Sequence, residues 1–407
     1  MAIVAFHTRT VRDLSLIACP TDTAGVPDEV VRASRGKKEQ GAVPNPRRRE
    51  VRGRPELGIC IEKREAGDLW AASFAILWAM QSSPHFTFTF SSPRNMNLRN
   101  PQMGIRAALR AGVPLADLSW PADSEVDALR KEAESAGVLV LLGCGVEPGL
   151  TEIMAQHLAE KLDRVDELHI QCGGIPETPA PPLGYKIVFG GRQLPLREAD
   201  APVVEGGQLT RVPRYSGVET TTYPGVGACE AWHEGFMPWL LDLEALKSLQ
   251  TGTQKTVRWP GFAAKATFLR ELGLLSLDPV EVEGVSVAPK KLLDAVLYPL
   301  VKLEEDERDI TCFRVEVLGE KKGRPCRYRV EMVDRYDEAL GFTSMARTTA
   351  FTGAIVARML ARGDIQGQGL QTPEKFLTGA LFDRLVRELA GAGVRFAVTK
   401  EKVKGLA

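Results

Sequence analysis

Residues 143–149 read Gly143-Cys144-Gly145-Val146-Glu147-Pro148-Gly149, between an apolar run at 138–142 and an amphipathic run reaching Leu158. A strand, a glycine turn and a helix in that order bring backbone N–H groups and the positive end of a helix dipole to one point, where anions and cofactors dock. The dinucleotide pattern G-x-G-x-x-G is missed by one residue: Pro148 stands where the third glycine belongs, and proline suits a first helical position. Gly145, Pro148 and Gly149 are therefore candidate cofactor-binding residues, with an ordinary tight turn as the plainer alternative. Glu147 is the acid inside the turn. A helix N-terminus favours its ionised form, which makes it a candidate proton acceptor or simply a helix-end cap. Asp117 and Ser119 end the preceding strand, and the carboxyl ends of parallel strands line ligand crevices in doubly wound sheets.

Two arginines and a lysine extend the set. Arg258, in Thr256-Val257-Arg258-Trp259, precedes an expected helix starting at Pro260, where a guanidinium can grip a carboxylate with two hydrogen bonds or sit as a surface charge. Arg347 falls in the first turn of an expected helix over 344–362, where a cation is disfavoured unless it has an anionic partner. That partner is a ligand carboxylate, a phosphate, or an acid of another domain. Tyr185-Lys186 opens an expected strand over 185–189; a desolvated lysine there can move protons, although most are solvated. The five histidines fall outside these motifs and carry no catalytic assignment.

The elements that position these residues follow from periodicity. Helices are expected over 102–111, 124–136 (capped by Ser124), 260–272, 289–297, 344–362 (capped by Ser344) and 376–389, with Gly112, Gly137 and Gly363 as stops. Strands are expected over 85–90, 113–119, 138–142 and 167–171. The segments 311–318 and 327–333 alternate apolar and charged residues around a turn at 319–323, a hairpin with one wet face. Helix–strand alternation through 100–158 predicts a parallel, doubly wound sheet. Residues 150–335 predict an α+β domain on an open mixed sheet. The run at 34–56, centred on Arg47-Arg48-Arg49, reads as a solvated or disordered segment, and 69–80 as a buried helix.

Composition limits the classes of function. The chain has 407 residues, 44% apolar and 26% charged, with a formal net charge of +0, so it is long enough for two or three domains. Its charge balance points to neither nucleic acid nor an anionic membrane. Seven cysteines lack C-x-x-C pairs and zinc spacing and read as buried thiols in a reducing, cytoplasmic setting, with no metal site. No signal peptide is evident, and the longest apolar run is too short to span a bilayer.

Four blocks, AALRAGVPLADLS at 107–119, GCGVEPGLT at 143–151, TVRWPGFAAKATFLRELGLL at 256–275 and MARTTAFTGAIVARMLAR at 345–362, together with Gly173-Gly174-Ile175-Pro176 and Gly184-Tyr185-Lys186, resemble the saccharopine dehydrogenase-like family, nearest its lysine 6-dehydrogenase branch. The resemblance runs from about Met103 to about Phe396. It implies a Rossmann-type domain, a central α+β domain for substrate and dimer contact, and C-terminal helices returning to the first domain. This divides the chain into 1–100, 101–149, 150–335 and 336–407. The activity implied is NAD- or NADP-dependent oxidation or reduction at an amino-acid C–N bond, by a homodimer whose partner is a small amino-acid substrate. Such chemistry needs a proton acceptor at the amine, for which Glu147 and Lys186 are the candidates. It also needs a clamp for the distant carboxylate, for which Tyr185, Arg258 and Arg347 are the candidates, with Asp117 and Ser119 on the cofactor side. A relative that forms polyamines by reducing a Schiff base is a further option. The departure lies at the start: no glycine precedes Gly25, and no G-x-G-x-x-G appears before Asn100. Residues 1–100 therefore read as a divergent or damaged part of the cofactor domain. This raises a second reading, a non-catalytic homologue with impaired cofactor binding.

Overall fold

The computed structural model describes residues 2–6, 86–90, 103–189 and 192–402. The basic run at 34–56 and the apolar run at 69–80 lie outside the described residues. A five-stranded sheet is built from β1 (Ala2–Phe6), β2 (Phe86–Phe90), β3 (Leu115–Asp117), β4 (Leu139–Leu141) and β15 (Gly369–Gln371), in the order β2-β1-β3-β4-β15. Every pairing in it is parallel. The order reverses at β1, between β2 on one side and β3 on the other. At such a switch point a doubly wound sheet opens a crevice at its carboxyl edge, and Asp117 ends β3 there, in register with Ala5.

Local chemistry explains the helices of this half. Helix α1 (Met103–Ala111) is followed by Gly112 at φ 64, and α2 (Asp123–Ala136) stops at Gly137 at φ 62, both left-handed positions that glycine adopts without strain. The cap of α2 is Ala122 rather than Ser124, and the acids Asp123 and Glu125 occupy its first turn instead. Leu129 and Ala133 bury its inner face. Helix α3 (Leu150–Ala159) leaves the glycine turn for the second sheet.

That nine-stranded mixed sheet holds β5 (Arg164–Pro176), β6 (Ala201–Glu205), β7 (Gln208–Val212), β8 (Glu219–Tyr223), β9 (Gly227–His233), β10 (Thr251–Arg258), β13 (Asp309–Lys321), β14 (Arg324–Arg335) and β16 (Ala397–Lys402). β5 lies between antiparallel β13 and parallel β10. The expected hairpin is β13–β14, turning at Lys322-Gly323. β13 is buried along most of its length, because β5 flanks its other edge. Beside the sheet stand α4 (Phe262–Glu271), the small hairpin β11 (Val280–Val282) and β12 (Val285–Val287), and α5 (Pro289–Val301). Residues 185–189 form no strand. Ile187 alone bridges to Lys302, because the segment crosses α5's end instead of joining the sheet.

Helix α6 (Ser344–Arg362) returns the chain to the first sheet and runs against β1, β3, β13 and β14. Phe351, Ile355, Val356, Met359 and Leu360 are all buried, each worth about 1.5–3 kcal/mol relative to exposure. A helix apolar on every side must be covered on every side. Two of its buried threonines donate back to helix carbonyls, Thr348 Oγ1 to Ser344 O at 2.9 Å and Thr352 Oγ1 to Thr348 O at 2.7 Å. Thr343, not Ser344, is the cap. Ser344 points its hydroxyl inward to Asp334 Oδ2 at 2.7 Å, while Asp309 accepts the Ser344 and Met345 N–H groups at 2.6 and 2.9 Å. The final helix α7 (Gly379–Gly391) begins three residues later than the apolar pattern at Phe376 suggests, behind a single tight turn at Pro373–Lys375. Among the described residues no helix is long and apolar enough to cross a membrane.

Arg347 completes the network at the start of α6. Its guanidinium is ion-paired to Asp334 and, at 2.6 Å, to Asp337. The cation at a positive helix end is thus explained by acids of β14 and the loop that follows it. Of the partners expected for Arg347, the acid of another part of the chain is the one present. Asp334 is 4% exposed, so Arg347→Met strands a buried carboxylate and should cost about 3–5 kcal/mol. Urea unfolding measures this; a loss below about 1 kcal/mol would remove the network's structural role.

Candidate active site

The β4–α3 turn is folded onto itself. Gly143 N–H bonds Ser119 O at 3.1 Å and Cys144 N–H bonds Asp117 O at 2.8 Å, so the end of β3 clamps the turn's start. Gly145 N–H bonds Pro148 O, while Leu150 and Thr151 N–H bond Gly145 O and Val146 O. Gly149, at φ 138, is the helix cap, and an added Cβ would collide with the Gly143 and Gly145 carbonyls. Pro148 therefore precedes the cap instead of opening the helix. The Gly149 N–H goes to Glu152 Oε2 at 2.5 Å. From the other side Thr349 of α6 packs against Gly145. The N–H groups of Gly143, Cys144, Gly145, Gly149, Leu150 and Thr151 are thus all bonded within the protein. Gly145, Pro148 and Gly149 do not form the open cradle expected of a phosphate loop, because the turn's tightness uses the amides that a phosphate would need.

Asp117 and Ser119 are likewise engaged with each other. Asp117 Oδ1 accepts the Ser119 N–H and hydroxyl, both at 2.8 Å. Burial pushes the Asp117 carboxyl up to about 6, against the pull of those two bonds. Trp120 follows them and stacks on Trp239 from the second half of the molecule, centroids 3.9 Å apart.

Glu147 leaves the turn toward the middle of the nine-stranded sheet. Gln254 of β10 donates through Nε2 to Glu147 Oε1 at 2.8 Å and to Glu152 Oε1 at 3.1 Å, and accepts the Met237 N–H at 3.2 Å. Burial raises the Glu147 carboxyl to about 8. The Gln254 bond and the positive charge of Arg258 lower it, and the neighbouring acids Glu152 and Glu234 raise it. Desolvation and like charge oppose the helix end here and hold the Glu147 carboxyl above its usual range. Glu152 and Glu374 are also raised by burial, the latter to about 7.

Arg258 is the last residue of β10, four places beyond Gln254 and on the same side of the strand, not in a loop before α4. It is 3% exposed. Its guanidinium lies 4.6 Å over the Tyr185 ring and 5.8 Å from the Phe262 ring. Nη1 donates to Val257 O at 2.8 Å, and Nε is buried without an acceptor. Glu230, directly opposite on β9, spends its carboxylate on the Gly261 and Ala263 N–H groups at the start of α4, at 2.8 and 2.6 Å. Among the described residues no carboxylate forms an ion pair with Arg258. Gly173 of β5 makes the approach possible, since a Cβ there would overlap Val257 O and Arg258 Nη1. Lys186, by contrast, is paired to Glu307 at 2.9 Å and donates to Lys302 O at 3.2 Å. That occupied ammonium does not fit the free base expected from sequence.

The structure thus sets Arg258 over Tyr185 and within electrostatic reach of Glu147, and gives Asp117, Ser119, Lys186 and Arg347 internal partners. Sequence reasoning missed Gln254, Glu152 and Glu374. Gln254 has no motif of its own. The spacing Gly149-x-x-Glu152 is a helix-start signal that would have located Glu152.

The saccharopine dehydrogenase C-terminal domain family matches residues 145–394. The carboxynorspermidine synthase of Vibrio alginolyticus is 24% identical over 207 residues, 48% of this chain and 47% of that protein. The NADP(+)-dependent, L-glutamate-forming saccharopine dehydrogenase of Saccharomyces cerevisiae is 22% identical over 342 residues, 66% of this chain and 75% of that one. The match to the Vibrio synthases spans about half of their length. The solved structure of the apo yeast saccharopine dehydrogenase superposes with a TM-score of 0.61 at 18% identity, covering 83% of this chain and 88% of that one, a likeness of fold. With that family's domain matched over more than half of this chain, and the fold shared with the yeast enzyme, the chain belongs to the saccharopine dehydrogenase C-terminal domain family.

Proposed function

We propose that the chain is an NAD(P)-dependent oxidoreductase acting on the C–N bond of an amino acid, of the saccharopine or lysine 6-dehydrogenase type. The observation that carries this reading is a buried guanidinium, without a carboxylate partner among the described residues, within electrostatic reach of a carboxyl group raised to about 8. Arg258 receives the substrate carboxylate, with Tyr185 and Phe262 fixing the plane of its fork. Glu147, steadied by Gln254, exchanges a proton with the substrate amine; its titration near the working pH suits transfer in either direction. A substrate with a carboxylate at one end and an amine at the other fits both groups. The relatives named for carboxynorspermidine and for saccharopine act on compounds of that kind.

The described residues do not fit the pyrophosphate of a dinucleotide. The turn after β4 spends the N–H groups of all three of its glycines within the protein, and the sequence following β1 has no glycine until Gly25. The same closed turn favours a second reading, a non-catalytic homologue that binds the amino acid alone. Titration of the full chain with NADH and NADPH separates the two. Saturable binding, with turnover on saccharopine, lysine or a carboxylated polyamine, supports the oxidoreductase, and amino-acid binding without nucleotide binding supports the homologue.

Two outcomes test the site itself. Arg258→Met should weaken carboxylate-ligand binding about 10- to 100-fold in calorimetry, as a charged hydrogen bond is worth about 1.5–3 kcal/mol; unchanged affinity would dismiss the clamp. Glu147 binds its proton more tightly in the folded chain than in the unfolded one, so its contribution to stability is fullest below about pH 4.5 and declines as pH rises to about 8. Glu147→Gln should therefore flatten the fall in melting temperature between pH 5 and pH 8, and an unaltered slope would contradict the raised carboxyl.

A further inference from the structure

Two carboxyl groups share one amide donor in this protein. Gln254 Nε2 donates to Glu147 Oε1 at 2.8 Å and to Glu152 Oε1 at 3.1 Å, so the two acids stand no farther apart than those bonds laid end to end. Glu152 is 1% exposed, while Glu147 keeps an intermediate exposure. Two carboxylates that close, away from water, do not both ionise freely, and they titrate as a pair.

Their hydrogen bonds are unequal. Besides the Gln254 amide, Glu152 accepts the Gly149 N–H at 2.5 Å and the Thr151 hydroxyl at 2.7 Å, both on Oε2. It also sits in the first turn of α3, where the helix end favours an anion. Glu147 accepts from Gln254 and has the Cys172 thiol of β5 beside it. Bonds donated to a carboxylate favour its charged form, so the better-supplied acid keeps the charge. The other charged groups nearby are Arg258 of β10, which draws charge toward Glu147, and Glu234, which follows β9 and opposes it. Glu234 is itself paired to Arg214 and Arg197 at 2.7 and 3.1 Å. Glu374, in the turn after β15, is within electrostatic reach of Glu152 and is raised by it.

We propose that Glu152 is a positioning residue for the proton chemistry of Glu147: the two form a one-proton pair in which Glu152 holds the negative charge and Glu147 the proton. The chemistry rests on the oxidoreductase reading, whereas the state of the pair does not. Glu147, the more exposed of the two, meets the amine, and Glu152 lies behind it. In the transfer the Glu147 O–H bond breaks, an N–H bond forms with the lone pair of the amine, and the electrons of the broken bond stay on the carboxylate. Two carboxylates then share Gln254, and their repulsion draws the proton back to Glu147 when the nitrogen releases it.

Carbon NMR of the full chain, labelled at the glutamate carboxyl carbon, reads the pair without turnover. Glu147→Gln and Glu152→Asp assign the two signals. Near pH 6, roughly midway between the ordinary glutamate value and about 8, Glu147 should give the signal of an acid and Glu152 that of a carboxylate. Glu152→Gln should lower the titration of Glu147 by about 1 unit or more, and the pH dependence of amino-acid binding should move with it. Glu152→Asp keeps the charge and should leave Glu147 near its original value, although both variants disturb the start of α3. A proton found on Glu152, an unmoved Glu147 in Glu152→Gln, or equal behaviour of the Gln and Asp variants overturns the proposal. Should Glu152→Gln fail to fold, the signals of the unmodified chain near that pH decide alone. A chain that neither binds nor turns over an amino acid dismisses the oxidoreductase reading, and the same titration still settles the pair.

Discussion

The arrangement of this protein depends on the burial of one helix between two sheets. α6 has no solvent face along most of its length, so the parallel sheet and the mixed sheet must both stay packed against it. Apolar contact is not directional, however, and a smooth cylinder of Ile, Val and Met could rotate or slide. The polar cluster at its first turn removes that freedom. Asp309 holds two N–H groups, Ser344 reaches Asp334, and Arg347 joins Asp334 to Asp337. The helix is thereby pinned to β13 and β14 at one end, while its later turns cover β1 and β3.

The surroundings of Glu147 follow from that anchoring. With α6 set, Thr349 and Gly353 press on the glycine turn, and the turn has room only for a backbone that satisfies itself. Glu147 is driven out of the turn toward β10, where Gln254 meets it. Its protonation is then decided by a contest between a helix dipole worth under about 1 kcal/mol and the removal of a carboxylate from water, which costs several. Burial wins. Arg258 experiences the reverse situation: the acid opposite it in the sheet is already engaged by α4, so a cation remains without a carboxylate among two aromatic rings.

Local elements were legible wherever the evidence lay within a few residues. The stops at Gly112, Gly137 and Gly363, the helices of 103–111 and 123–136, the β13–β14 hairpin and the strand–turn–helix at 139–159 all follow from spacing and glycine placement. Caps were less legible. Ser124 and Ser344 look like caps in sequence, yet each begins one or two residues inside its helix, because Asp309 and the Ala122 backbone set the ends. The strand assigned to 185–189 failed for a related reason: alternating apolar residues suit any segment with one buried side, and this one packs beneath Arg258 and beside α5 without a sheet partner.

The order of elements, the doubly wound pattern and the types of side chain near the crevice were determined by sequence alone, since each rests on neighbours along the chain. Tertiary structure decided which of those side chains meet and in what state. Gln254 is separated from Glu147 by 107 positions, and Thr221 from Arg314 by 93. The partner of Arg347, the proton on Glu147 and the closure of the glycine turn all depend on contacts of that range. Hydrogen-bond supply and exclusion of water act through space, and no local pattern encodes them.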